Sequence, residues 1–412
     1  MLYLFLTLLL GMPVQGLAQN ANLYESYRPR PCSSSPSPLF QNLKDPLETL
    51  LMADFKDNLL ANEEKARSTA VMAVRLSEQL WEVNRGELRT RGKSRMKLCK
   101  DMRPLKFVFL SQQIYQVSDR DELINIMKEI WLYEDLAYRE LLSETNRKRL
   151  IEGKAALRQI MLEGQSVDGT FDKLGDDIKM VTHCGIDEQW FYDRDDEAGD
   201  QYVIKEYFAY RSLDFLKTIN PKARLSKMHY FSPTGEKIDS KYAFFREPFG
   251  KTARRCHLKK SEIRGPRLMN QDFFKLQQSF LINGDFHIKG HNVAYLNDKF
   301  GRTYLMPYDY DLSRFVIRKT ILKQNDRLYQ ALKKTRPRLA AISYGFFLLN
   351  SIDSMIEEVA QGVADSDQTE LMRLFLEGNR RSILRFFGEM QTRALSDFNR
   401  IKEDYRRWLE NS

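Results

Sequence analysis

"NGDFHIKGHNVAYLNDKFGRTYLMPYDYD", residues 283–311, sets four carboxylates and two histidines around two short apolar runs split by a turn. Val293–Leu296 and Thr303–Met306 read as paired strands, with "NDKFG" as the turn between them. Centring that turn between Lys299 and Phe300 puts Asn292 opposite Pro307 and His291 opposite Tyr308. The base of the hairpin then gathers Asn292, Asp309 and Asp311, and the two-residue repeat of a strand points both aspartates the same way. Two carboxylates and an amide suit Mg²⁺ or Mn²⁺, hard cations that take oxygen ligands and complete their shell with water and phosphate. Asp285, seven residues before Asn292, stands where it would receive a proton from an attacking hydroxyl. The bland alternative is a capped strand pair, because Asp and Asn routinely close turns. Asp298 belongs to the turn and is given no chemistry, while His287 and His291 read as hydrogen-bonding loop residues.

The rest of the chain bounds what this hairpin serves. Its 412 residues carry a net charge of +9, with 42% apolar and 12% aromatic content, enough for one large core or two joined lobes. Leu2–Leu10 is an apolar run followed by small residues, which reads as a signal peptide over residues 1–18 and an exported chain, periplasmic or extracellular. No Lys or Arg precedes the run, and it is too short to span a bilayer. Residues 19–44, including "RPRPCSSSPSP", form a Pro/Ser tether. Cys32, Cys99, Cys184 and Cys256 allow three full pairings, and their spacing is not that of a zinc site. The densest basic piece, Lys251–Arg267, reads as a solvated face or as a contact for an anionic partner or envelope surface. Aromatics are not interleaved with it, so no nucleic-acid surface is expected.

Residues 45–250 read as an α+β lobe with a helical insertion, and 251–412 as a second lobe holding the hairpin and terminal helices. Alternating runs through Phe109 predict an antiparallel sheet. Leu123, Ile126, Ile130 and Tyr133 recur at helical spacing after a Ser118/Asp121 capping box. A helix over 201–220, stopped by Pro221, should precede a strand pair over 225–231 and 241–246 turned by "SPTGE".

An aspartate, an asparagine, a hairpin and then a further aspartate is the order of parts in protein kinases. Asp285, Asn292 with Tyr295, and Pro307-Tyr308-Asp309-Tyr310-Asp311 resemble the motifs of the kinase-like family of spore coat protein H. The upstream "LRTRGKSRMKLCKDMRPLKFVF" resembles that family's Arg-Gly-x-Ser-Arg segment and lysine-bearing strand. Cys99, "KMVTHC" and "PYDYD" are closer still to exported bacterial proteins with a Pro-Tyr-Asp-Phe-Asp motif. The resemblance implies an atypical protein-kinase-like two-lobed α+β fold, with a mainly antiparallel sheet in the N-terminal part and a helical C-terminal part. It implies that Arg91, Arg95 and Lys106 reach nucleotide phosphates and that Glu206 pairs with Lys106. It further implies Asp285 as base, Asn292, Asp309 and Asp311 as metal ligands, and a Cys99–Cys184 disulfide.

The expected function is metal-dependent phosphoryl transfer from ATP to an unknown protein or phosphorylated acceptor. The alternative is a non-catalytic exported envelope protein that binds an anionic ligand or a protein partner through a kinase-like shell. Metal-dependent hydrolysis would use the same aspartates. No GxSxG motif occurs, and nothing in the sequence suggests a Ser-His-Asp hydrolase.

Overall fold

The computed structural model describes residues 37–41, 46–59, 66–91, 104–138, 177–182, 199–215, 218–261, 293–308, 326–334, 351–358 and 366–410, with one or two positions at a time elsewhere, among them 32–33 and 170–171. These fall into two compact units, one of residues 33–211 and 221–255, the other holding 212–220 and 256–412.

Seven strands make the first unit: β1 (Leu47–Ala53), β2 (Arg67–Arg75), β3 (Leu80–Thr90), β4 (Leu105–Gln116), β5 (Asp177–Thr182), β6 (Ala223–Phe231) and β7 (Lys237–Arg246). They close into a barrel in the order β1-β2-β3-β4-β5-β7-β6. Every pairing is antiparallel except β1 with β6, which run parallel from Leu47 opposite Ser226 to Met52 opposite Phe231. This overturns the two-lobed kinase-like sheet expected from the resemblance. The parallel seam joins strands far apart in sequence, and no local pattern announces such a pairing.

The apolar run of β2 does not alternate because both of its faces are buried. Ala70, Met72 and Val74 face the barrel interior with Leu51, Leu88, Phe107, Met180, Met228 and Phe245. Val71 and Ala73 point outward with Leu50 and Met52, under Leu123, Met127 and Ile130 of helix α1 (Arg120–Tyr138). Trp131 on α1 donates to Thr69 O at 3.0 Å. Asp119, rather than Ser118, caps α1, accepting from the Asp121 amide at 3.0 Å. At the β3–β4 bulge between Arg85 and Gly86, a side chain on Gly86 would collide with Val108 O and the Phe107 ring, so the position demands glycine.

Helix α2 (Gly199–Phe215) ends earlier than expected, and Thr218 closes on Leu213 O through its amide and its hydroxyl, both at 3.2 Å. The "SPTGE" turn is present, with Gly235 at φ 87 and its amide bonded to Ser232 O.

Cys32 and Cys256 form a disulfide that brackets this unit. Beside it, Ser33 donates to Arg255 O through its amide (3.1 Å) and hydroxyl (3.0 Å), and Arg255 Nη1 returns a bond to Ser33 O at 3.2 Å. Arg255, on helix α3 (Phe249–Arg255), is buried and paired with buried Glu247 at 3.1 Å. Cys99 and Cys184, the pair that the resemblance implies, lie outside the described residues.

In the second unit, β8 (Lys259–Ser261), β9 (Val293–Asn297) and β10 (Thr303–Pro307) form a sheet in the order β10-β9-β8. The hairpin exists where expected, but its register differs by one residue, because Val293 and not Asn292 opposes Pro307. The cause is the turn. Gly301 (φ 73) bonds its amide to Asp298 O and makes a three-residue loop centred on Phe300. Asp298 holds the loop, accepting from the amides of Phe300 (2.9 Å) and Arg302 (3.0 Å) and from Arg302 Nε at 2.6 Å. Desolvation pushes the Asp298 carboxyl up, and these bonds outweigh it and hold the group below its ordinary value. Helices α4 (Asp326–Lys334) and α5 (Ser366–Glu410) pack together, with Arg385 lying 4.3 Å from the Tyr329 ring centroid. No helix among the described residues is long and apolar enough to cross a membrane.

Two outcomes test the fold. Reducing the Cys32–Cys256 bridge, which spans 224 residues, is expected to lower the unfolding free energy by up to about 5 kcal/mol in the chain-entropy account, read as a lower urea midpoint. Gly86→Ala is expected to cost about 2 kcal/mol through overpacking, read as a drop in Tm.

Candidate functional site

Opposed residues in antiparallel strands sit about 5 Å apart with side chains on one face. Reading across the barrel wall, Arg67 on β2 opposes Arg89 on β3, and Arg89 opposes Lys106 on β4. Lys106 opposes Lys179 on β5, and Lys179 opposes Arg246 on β7. Five neighbouring strands thus place five cations in one row. Their apolar neighbours Leu88, Leu105, Phe107, Ile178, Met180 and Phe245 fill the interior, so the cations project from the outer face of the barrel wall, where Arg246 is covered.

Carboxylates answer the row unevenly. Glu87 pairs with both Arg67 and Arg89, and Asp177 pairs with Lys106 at 2.7 Å. The ion-pair partner of Lys106 is thus Asp177, on the neighbouring strand. Glu206 is buried on α2. Arg246 is buried, donates to Tyr210 OH at 3.1 Å, and lies 4.8 Å from the Phe249 ring centroid. Lys179 Nζ stands 4.9 Å from the same ring and has no ion pair or hydrogen bond among the described residues. Burial, then the charges of Arg246 and Arg91, push the Lys179 amine down to about 7; Lys106 adds to this and Asp177 opposes it.

Of the eight expected site residues, Arg91 and Lys106 are brought together here, both within electrostatic reach of Lys179. Arg91 continues from β3, its amide bonded to Pro104 O at 2.9 Å. Arg95, Asp285, Asn292, Asp309 and Asp311 lie outside the described residues. Among the described residues no cluster of three His, Cys, Asp or Glu side chains is placed to hold a metal ion. Sequence reasoning missed Arg67, Arg89, Lys179 and Arg246. Each reads singly as a polar position beside apolar ones, and only the strand register aligns them.

Chemically, such a row attracts polyanions. Guanidinium forks and ammonium groups together match phosphate or sulfate oxygens. The Phe249 ring adds a weak cation–π hold on the deepest two cations.

No family model matches the sequence, and no curated protein matches it. Among solved structures the chain is similar to the Helicobacter pylori proinflammatory kinase CtkA, with a TM-score of 0.32 and 9% identity, over 53% of this chain and 88% of that one. Likeness at this level assigns neither fold nor activity to the chain.

Asp177→Asn removes the charge that raises the Lys179 pKa, so the amine should titrate below 7 in that variant. The midpoint of its reaction with an acylating reagent, followed by mass spectrometry against pH, checks this.

Proposed function

We propose that the protein binds a phosphorylated or similarly polyanionic ligand on the outer face of the barrel, along Arg67, Arg89, Lys106 and Lys179. The observation that carries it is the register. Like charges directly opposite one another destabilise a sheet, and a ligand with several negative groups relieves that cost. An exported location belongs to the same proposal, since a disulfide such as Cys32–Cys256 persists in oxidising compartments.

Phosphoryl transfer from ATP, the further activity that the resemblance implies, would need a divalent cation on Asn292, Asp309 and Asp311 with Asp285 as base. Metal-dependent ATP binding that is lost in Asp309→Ala and kept in Asp298→Asn would extend the proposal that far. Binding indifferent to metal would confine it to anion recognition. Asp298→Asn is the better control than Ala because it keeps the acceptor that the turn uses.

Sulfate is a suitable first probe because its charge is constant across neutral pH. Binding an anion raises the Lys179 pKa, so binding takes up a proton and should tighten as pH falls from 8 to 6. Calorimetric titration is expected to show this trend. Lys179→Met should weaken sulfate about tenfold and flatten the pH dependence. Absence of saturable binding, or an unchanged affinity in Lys179→Met, would defeat the proposal.

A further inference from the structure

A second group of side chains, on the outer face of β1, β6 and β7, is absent from the phosphate reading. His229 on β6 directly opposes Ser240 on β7, and Ser240 Oγ lies 2.7 Å from His229 Nδ1. Leu50 on β1 is the partner of His229 across the parallel seam, which brings Glu48 of the same strand alongside. Glu48 Oε1 lies 3.9 Å from His229 Nε2, and its Oε2 accepts from Arg75 Nη1 at 2.8 Å. Arg120, the first residue of α1, has Nη1 at 3.7 Å from Glu48 Oε1. Its Nη2 is buried without a hydrogen-bond partner among the described residues.

We propose that Ser240 and His229 form a nucleophile–base pair that hydrolyses esters bearing a negative charge, with Glu48 as the positioning residue. The Ser240 hydroxyl donates to Nδ1, so the ring hydrogen sits on Nε2 and is directed toward Glu48. As Oγ bonds to the ester carbon, its proton passes to Nδ1. The tetrahedral intermediate then expels the alcohol, which leaves with that proton. Water repeats the sequence on the acyl-serine, releasing the acid and restoring Ser240. The imidazolium formed in each half is stabilised by the Glu48 carboxylate, which is an electrostatic partner at this distance and not a hydrogen-bond acceptor.

The charged groups facing the imidazole come from every element around it: Arg120 from α1, Glu48 from β1, Lys227 from β6 and Lys237 from β7. Three of the four are cations, which sets the preference for an anionic ester. Burial, then Arg120, hold the His229 pKa down to about 4, against the pull of Glu48. The ring is therefore neutral, and able to accept a proton, throughout the neutral range.

Diisopropyl fluorophosphate labelling of the full chain, mapped by peptide mass spectrometry, tests this directly. The expected adduct is on Ser240, and its formation rate should be flat from pH 5 to pH 8 because the base is neutral throughout. His229→Gln should slow labelling on the order of 100-fold. Glu48→Gln should slow it as well and move any acid inflection to lower pH. Hydrolysis of 4-nitrophenyl hemisuccinate should exceed that of 4-nitrophenyl acetate, with the preference reduced in Arg120→Ala. An adduct elsewhere, a rate climbing tenfold per pH unit, or full reactivity in His229→Gln would overturn the proposal. The mapping on the unaltered chain decides the matter even where a variant does not fold.

Discussion

The parallel pairing of β1 with β6 turns a chain of strands into a ring. Ser226 ties this seam, donating to Leu47 O at 2.8 Å and lying 2.9 Å from Thr49 Oγ1, both contacts within the wall. Once β1 and β6 are in register, the remaining strands have little freedom to slip, since a one-residue shift would turn every interior side chain outward. Both surface constellations inherit their alignment from this closure. The cation row needs four successive pairings to hold, and the Ser240–His229–Glu48 group straddles the seam itself.

What could be read from the sequence followed the range of the interaction involved. The β6–β7 pair, the β9–β10 hairpin and α1 rest on turn residues and on helical or strand periodicity within a few residues, and those signals are visible in a linear text. The hairpin register was missed by one residue because Gly301 in the left-handed region adds a residue to the loop, and only the backbone conformation decides that count. The α1 cap shifted by one for a similar reason, since Asp119 competes with Ser118 for the same amide. Barrel closure and the opposition of Lys106 to Lys179 join residues far apart in sequence, with nothing local to mark them. Arg91 and Lys106 enter through a family resemblance, while Asp177, the ion-pair partner of Lys106, has no signal in that resemblance.

The C-terminal end of β7 and the strand beside it show how differently charge is handled within a few ångströms. Glu247 is wholly consumed by structure, accepting from Arg255, from the Thr252 hydroxyl at 3.0 Å and from the Lys222 amide at 3.1 Å. Such a satisfied pair fixes geometry. Lys179, one strand away from Arg246, has an aromatic ring and three like charges around it, with Asp177 alone opposing them among the described residues. The cost of keeping an amine in that condition falls when an anion binds beside it, which is why the proposed ligand site includes Lys179.

The disulfide also reroutes mechanical load. Residues 33–255 lie inside the covalent ring that Cys32 and Cys256 close, and the Ser33–Arg255 bonds seal its neck. Tension applied along the chain from before Cys32 to beyond Cys256 passes through the sulfur–sulfur link and bypasses the barrel strands. The barrel is thus spared stretching that would otherwise peel β1 from β6.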